Sequence, residues 1–256
     1  MNHFIFNKEY FCIKFVYNHK QNTLKRLLIL SVLLGSFLGF SKAQNIVENL
    51  PTFDQKKLHF GFTLGTNYMN FNAVHSGMPD VDGNIWFTDL SSLNPGFHVG
   101  IISSYRINPF LNVRFIPGIS FGQRDMRFKT QLGVEREPPI SVKSTFIEAP
   151  LLIKYKALRD GNAKPYLIFG PNVRFDLARS KKDDIVLNPI DYYFEFGVGS
   201  DFYLPYFRFG LEVRFAIGFN DVLWHDRPLS EGYDPRYTNA ISNLYSRLFI
   251  IAFNFE

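Results

Sequence analysis

The sequence predicts an all-β fold, an eight-stranded antiparallel up-and-down transmembrane β-barrel behind a cleaved signal peptide. Three observations carry the prediction. Runs of about ten residues alternate apolar with polar or glycine, the connections between them alternate long and short, and a short apolar leader precedes them all. Successive side chains of a strand point to opposite sides, so each run has one greasy wall and one polar wall. A tilted membrane strand needs about 9–11 residues, whereas soluble strands average roughly 5–6.

The leader comes first. Lys20, Lys25 and Arg26 lead into the apolar stretch 27–40, and Ser41-Lys42-Ala43 supplies small residues where a signal peptidase needs them. Cleavage is expected after Ala43. Residues 1–43 then form the signal peptide, 44–57 a polar periplasmic lead-in containing Pro51, and 58–256 the barrel. The apolar stretch is shorter than the roughly 20 residues of a spanning helix. Its loss removes six cations and Glu9, which leaves 22 basic and 22 acidic residues from the original 28 and 23. Near-neutrality of the mature chain gives no support for nucleic-acid binding. The single cysteine, Cys12, precedes the apolar stretch, so the mature chain has no disulfide and no lipid-anchor cysteine. Mean hydropathy is −0.06 although 17% of residues are aromatic, because lumenal polar residues cancel lipid-facing ones.

The strands follow in order. The first is 59–71, with Phe60, Phe62, Leu64 and Tyr68 on one face, and the loop 72–96 follows it. The second, 97–107, turns tightly through Asn108-Pro109-Phe110 into the third, 111–124, where Leu111, Val113, Phe115, Ile119 and Phe121 oppose Asn112, Arg114, Ser120 and Gly122. A loop over 125–140 leads to the fourth, 141–156, and Arg159-Asp160-Gly161-Asn162 turns into the fifth, 165–177. After the loop 178–191, the sixth, 192–203, turns at Leu204-Pro205-Tyr206 into the seventh, 207–220. That strand is the clearest: Phe207, Phe209, Leu211, Val213, Phe215, Ile217 and Phe219 share one face and Arg208, Glu212 and Arg214 the other. The loop 221–243 precedes the eighth, 244–255, whose outward face includes Arg247, tolerable only near a membrane interface. Long, short, long, short, long, short, long connections put the termini on one side. Closure satisfies every backbone group in lipid. Phe110, Tyr166, Tyr203, Tyr206 and Phe207 cluster at the short turns, the expected place of an aromatic girdle.

Inward-facing charges are the candidate site residues: Arg114, Glu148, Arg174, Glu195, Asp201, Arg208, Glu212 and Arg214. Eight strands enclose a lumen only wide enough for side chains, so these charges are expected to pair and fill it. Trp86, Phe87 and Trp224 are large apolar residues in polar loops, either packed loop on loop or exposed for partner docking. His59, His75, His98 and His225 make no metal-ligand spacing, and no nucleophile elbow or phosphate loop is present, so no catalytic residue, metal or cofactor is assigned.

Several stretches resemble the PorT family, small outer-membrane barrels of Bacteroidota associated with type IX secretion and gliding. They are Glu48-Asn49-Leu50-Pro51-Thr52-Phe53-Asp54 through Leu58-His59-Phe60-Gly61-Phe62, the segment 144–156 with Ala149-Pro150-Leu151-Leu152-Ile153-Lys154-Tyr155-Lys156, the segment Asp201-Phe202-Tyr203-Leu204-Pro205-Tyr206-Phe207, and Tyr237-Thr238-Asn239 through the C-terminus. The resemblance implies a non-catalytic accessory role in exporting cargo proteins with C-terminal sorting domains. Its implied partners are outer-membrane lipid and other secretion-system proteins. Two other readings stand beside it: an outer-membrane enzyme acting on lipid or peptide, and a soluble lipocalin-like binder, whose strands would be faced the opposite way.

Overall fold

The computed structural model describes residues 47–92, 94–178, 184–225 and 234–256. The expected signal peptide, 1–43, lies outside them. After a single 3-10 turn, Phe53–Gln55, come β1 (Leu58–His75), β2 (Trp86–Ser92), β3 (Pro95–Arg106), β4 (Leu111–Phe115), β5 (Gly118–Thr130), β6 (Ile140–Lys156), β7 (Ala163–Asp176), β8 (Ile190–Tyr203), β9 (Arg208–Gly218), the short helix α1 (Pro235–Asn239) and β10 (Ile241–Phe255). All pairings are antiparallel, and β1 pairs with both β10 and β3, which closes the sheet.

The ring has eight staves because two are broken. β4 and β5 lie end to end between β3 and β6. The sequence predicts one unbroken strand over 111–124; Pro117 interrupts it, having no N–H for the ladder. Register survives the break. Ser103 pairs with Phe115 and Gly100 with Gly118, while the Pro117 carbonyl accepts from Ile101 N–H at 2.9 Å. The second broken stave is β2 with β3. Both lie on β5, so part of the expected loop 72–96 is strand; a register shift falls inside β2, between Leu90 and Ser92, and β3 takes up the pairing with β5 at Phe97. Likewise β5 runs to Thr130, into the expected loop 125–140, and α1 occupies part of the fourth loop, with the Asp234 carboxylate capping Arg236 N–H.

Strand polarity has two regimes. Through most of the wall, phenylalanine, leucine and isoleucine face out and charged residues face in: Phe62, Phe169, Phe215 and Ile217 are exposed, while Arg114, Arg174 and Glu212 are buried. Toward the long-loop end the sense reverses. Phe71, Met126, Phe128, Val142 and Leu244 turn inward into an apolar cluster, while Asn70, Arg127 and Lys143 face out. Strands of 17 and 18 residues, β6 and β1, exceed the roughly 9–11 that span lipid, and the surplus is the reversed segment.

The aromatic girdle is smaller than expected. Phe110, Tyr206 and Phe207 face out, but Tyr166 and Tyr203 are 4% and 1% exposed. Both share the parity of the lumenal charges, and their hydroxyls donate to Glu212 and Asp54.

Candidate functional site: a filled lumen with a cap at its short-turn mouth

Strand parity alone delivers the lumenal charges. Arg208, Glu212 and Arg214 alternate along β9, Glu195 and Asp201 along β8, Arg174 stands on β7, Glu148 and Lys154 on β6, and Arg114 on β4. All are nearly or fully buried. The structure joins the eight residues singled out from sequence into one ladder.

At its short-turn end Arg208 pairs with Glu256 and stands 3.6 Å from both Asp201 and Asp54. Asp201 also takes the Lys154 ammonium at 2.7 Å, and that ammonium sits 3.6 Å over the Tyr166 ring. Glu256 reaches Arg114 as well, and Arg114 reaches Glu212 at 3.2 Å. Arg214 then bridges Glu212, at 3.0 Å, to Glu195, at 2.9 Å. Arg174 closes the series between Glu195, at 3.6 Å, and Glu148, at 2.8 Å. Buried ions are tolerated only when paired and hydrogen-bonded. Here Tyr166 donates to Glu212 at 2.8 Å and Asn172 to Glu195 at 2.6 Å.

The opposite wall makes room. β1, β3 and β5 present Thr63, Asn67, His98 and Ser120, small or neutral, where β6–β9 present arginine, lysine and glutamate. On β8 the inward glycines are space-makers: a Cβ at Gly197 would meet Arg214 Cγ at 2.8 Å, and one at Gly199 would meet the Tyr166 hydroxyl at 2.6 Å.

Three members of the ladder lie outside the set that the sequence predicts. Lys154 shares the parity of Glu148 and was legible in principle. Glu256 follows outward-facing Phe255, so alternation points it inward. Asp54 precedes the first strand, and no periodicity places it. Its 3-10 turn caps the short-turn mouth: the carboxylate accepts from Lys164 at 2.9 Å and from Tyr203 at 2.7 Å, and Arg106 donates to the Asp54 carbonyl. Phe53 stacks on His59 with centroids 4.5 Å apart, under the Arg208 guanidinium at 4.7 Å. Asn49 is held by Asn162, Tyr203 and Arg159. Burial alone would raise the Asp54 carboxyl, but the hydrogen bonds from Tyr203 and Lys164, with the Lys164 and Lys156 charges, outweigh it and hold the group down at about 2.

The long-loop mouth is closed differently. Arg124 lies 3.9 Å over the Phe71 ring and hydrogen-bonds Ser144. Beyond it the apolar cluster fills the lumen. Trp86, a candidate docking residue, belongs to this cluster: it is 8% exposed, its ring meets Tyr237 at 5.4 Å, and its indole N–H donates to Asp80 at 2.8 Å. An apolar side chain in a loop buries itself where neighbouring loops give it a partner. Phe87 is 43% exposed, edge-on to His75, and Trp224 is half-buried, with its backbone N–H donating to the Val186 carbonyl. His225 pairs with Asp221 at 3.1 Å, and its sequence neighbour Asp226 lies outside the described residues.

Comparison with solved structures gives small barrels. OprG from Pseudomonas aeruginosa superposes with a TM-score of 0.40 at 14% identity, over 77% of this chain and 91% of its own. Ail of Yersinia pestis gives 0.35 at 10% identity, over 78% and 98%. AlkL gives 0.38 at 13% identity, over 84% and 92%. No curated protein matches the chain. The family model described as outer membrane protein beta-barrel domain matches residues 42–223. The chain belongs to that family and is an outer-membrane β-barrel protein.

Proposed function

We propose that this barrel is a non-catalytic component of a protein-secretion machine of the type IX kind, working through contacts with partner proteins rather than by conducting solute. The observation that carries the reading is the filled lumen: a cap at one mouth, paired ions through the middle and an apolar cluster at the other. A lumen so occupied supports a scaffold better than a pore, and an eight-stranded barrel is too narrow for a protein cargo in any case.

The resemblance to PorT supports the secretion half of the reading. Two of the resembling stretches, 48–54 and 201–207, meet at the short-turn mouth, where Asn49 and Asp54 bond Tyr203. Short turns face the periplasm in barrels of this class. Tyr206, 93% exposed on that rim, is a natural contact for a partner there.

Deletion of the gene is expected to abolish secretion of cargo carrying C-terminal sorting domains, with cargo retained in the periplasm. Tyr206→Ala is expected to reduce secretion while the protein still shows a heat-modifiable band. Normal secretion in the deletion strain, or large stable single-channel currents from the purified barrel, would overturn the proposal.

A further inference from the structure

Arg247 is an exposed cation on the outward face of β10. Its cross-strand neighbours are Asn70 on β1 and Ile217 on β9. The next outward residues toward the short turns are Phe249, Ile251 and Phe253, all apolar, whereas β1 beyond Tyr68 turns Asn70 and Asn72 outward. Beyond Arg247 the outward residues are Tyr245 on β10 and Phe219 just past β9, aromatics of the interfacial kind, so Arg247 stands where polar and aromatic residues meet at the long-loop edge of the lipid belt. An outward strand cation is costly at the bilayer midplane and tolerated near the interface.

The surface around it is concave. A groove of about 500 Å³ is lined by Tyr68, Asn70, Phe215, Arg247, Phe249 and Ile251, together with Leu248. The volume lies within the ~300–1,000 Å³ of small-molecule sites. One end carries the guanidinium and the Asn70 amide, whose carbonyl is taken by Phe71 N–H at 2.9 Å, leaving its NH2 as the donor. The other end is an aromatic trough, with Phe215 and Phe249 centroids 5.0 Å apart and Tyr68 and Phe249 6.1 Å apart. The lining contains one cation and no acid.

We infer that this groove is a specific site for an anionic lipid, its phosphate headgroup held by Arg247 and Asn70 and an acyl chain lying along Phe249, Phe215 and Ile251. The groove is amphipathic in the same order as the lipid, polar at the interface and apolar toward the bilayer centre. A soluble anion would leave the trough unfilled, and a purely apolar guest would leave the guanidinium without a counter-charge.

The test is native mass spectrometry of the full barrel released from detergent, titrated with dimyristoylphosphatidylglycerol, with the zwitterionic phosphatidylcholine of the same chains, and with inorganic phosphate. The anionic lipid is expected to bind at least fivefold tighter than the zwitterionic one, and Arg247→Gln to weaken it about fivefold or more, the equivalent of losing one charge-assisted hydrogen bond. Phe249→Ala is expected to weaken both lipids, because it shortens the trough. Heat-modifiability of each variant reports that the barrel is folded. A smaller loss in Arg247→Gln, equal affinity for the two lipids, inorganic phosphate binding as tightly as the anionic lipid, or a stable dimer covering the groove would each overturn the assignment.

Discussion

Arg208 and Glu256 are bound twice, once by an ion pair of their side chains and once by two backbone hydrogen bonds, Arg208 N–H to the Glu256 carbonyl at 2.7 Å and Glu256 N–H to the Arg208 carbonyl at 2.9 Å. The residue after the last outward aromatic of β10 thereby becomes a lumenal group. Glu256 holds Arg114 as well as Arg208, so it joins the cap region to the middle of the ladder.

Removing that carboxylate leaves two buried guanidinium groups short of a counter-charge. Glu256→Gln is expected to lower stability by about 3–5 kcal/mol, the usual penalty for breaking a buried pair from one side. Unfolding of the vesicle-inserted barrel in urea, followed by its gel mobility, measures it. Glu256→Phe is expected to do worse than Gln, since the ring is larger and carries no acceptor for either arginine.

Tyr166 sits where β7, β8 and β9 meet in the lumen, its hydroxyl on Glu212 and its ring against Lys154. Tyr166→Phe removes a hydrogen bond to a charged acceptor and is expected to destabilise the barrel by about 1.5–3 kcal/mol. Gly199→Ala reaches the same group from the other side, pressing a methyl against the hydroxyl. Because both act on one contact, the double variant is expected to lose less than the sum of the two, which the same urea titration reads out.

Much of the fold and of the ladder is legible in the sequence, because period-two alternation fixes which side chains share a face. That is why the sequence pattern alone places Arg114, Arg174, Glu195 and Glu212 in the lumen. Three features lie beyond alternation. Pro117 breaks a ladder without shifting register, so the run reads as one strand although the hydrogen bonding does not. The polarity reversal near Met69, Arg124 and Ser144 keeps the parity and exchanges only residue chemistry, so the upper strands resemble polar loop. The docking of Asp54 depends on a three-residue turn whose partners, Lys164, Tyr203 and Arg208, are more than a hundred positions away.

The loop above the barrel has its own joint. Asp80 accepts from Asp82 N–H and Asn84 N–H, both at 2.9 Å, and from the Trp86 indole. The hydrogen bond from the Trp86 indole first, then those from the backbone and the nearby Arg236 charge, hold its carboxyl below the ordinary range. Asp80→Ala is expected to loosen the 76–85 turn while leaving the lumen intact. In a Trp224→Phe background, Trp86 is the sole indole, and its emission is expected to shift to longer wavelength as the ring gains water. The urea midpoint of the barrel is expected to stay where it was.

The cap is expected to be acid-labile, and the sign follows from Asp54. Docked, its carboxyl lies at about 2, against an ordinary value of 3.8. A carboxyl that binds protons less readily when docked favours docking at any pH above its free value, and that contribution disappears as pH falls from about 4 through about 2. Hydrogen exchange of the backbone over 48–57 follows the event directly, since an undocked segment exchanges as a free chain. Between pH 7 and 5 protection is expected to be flat, and below pH 4 it is expected to fall before the barrel strands lose theirs. Asp54→Asn gives the control: it keeps the side-chain shape but not the charge that Lys164 and Arg208 face, so protection over 48–57 is expected to be lower at neutral pH and to lose its Asp54-dependent acid step. Persistence of the full acid step in Asp54→Asn would assign the transition to another group and detach the cap from this carboxylate.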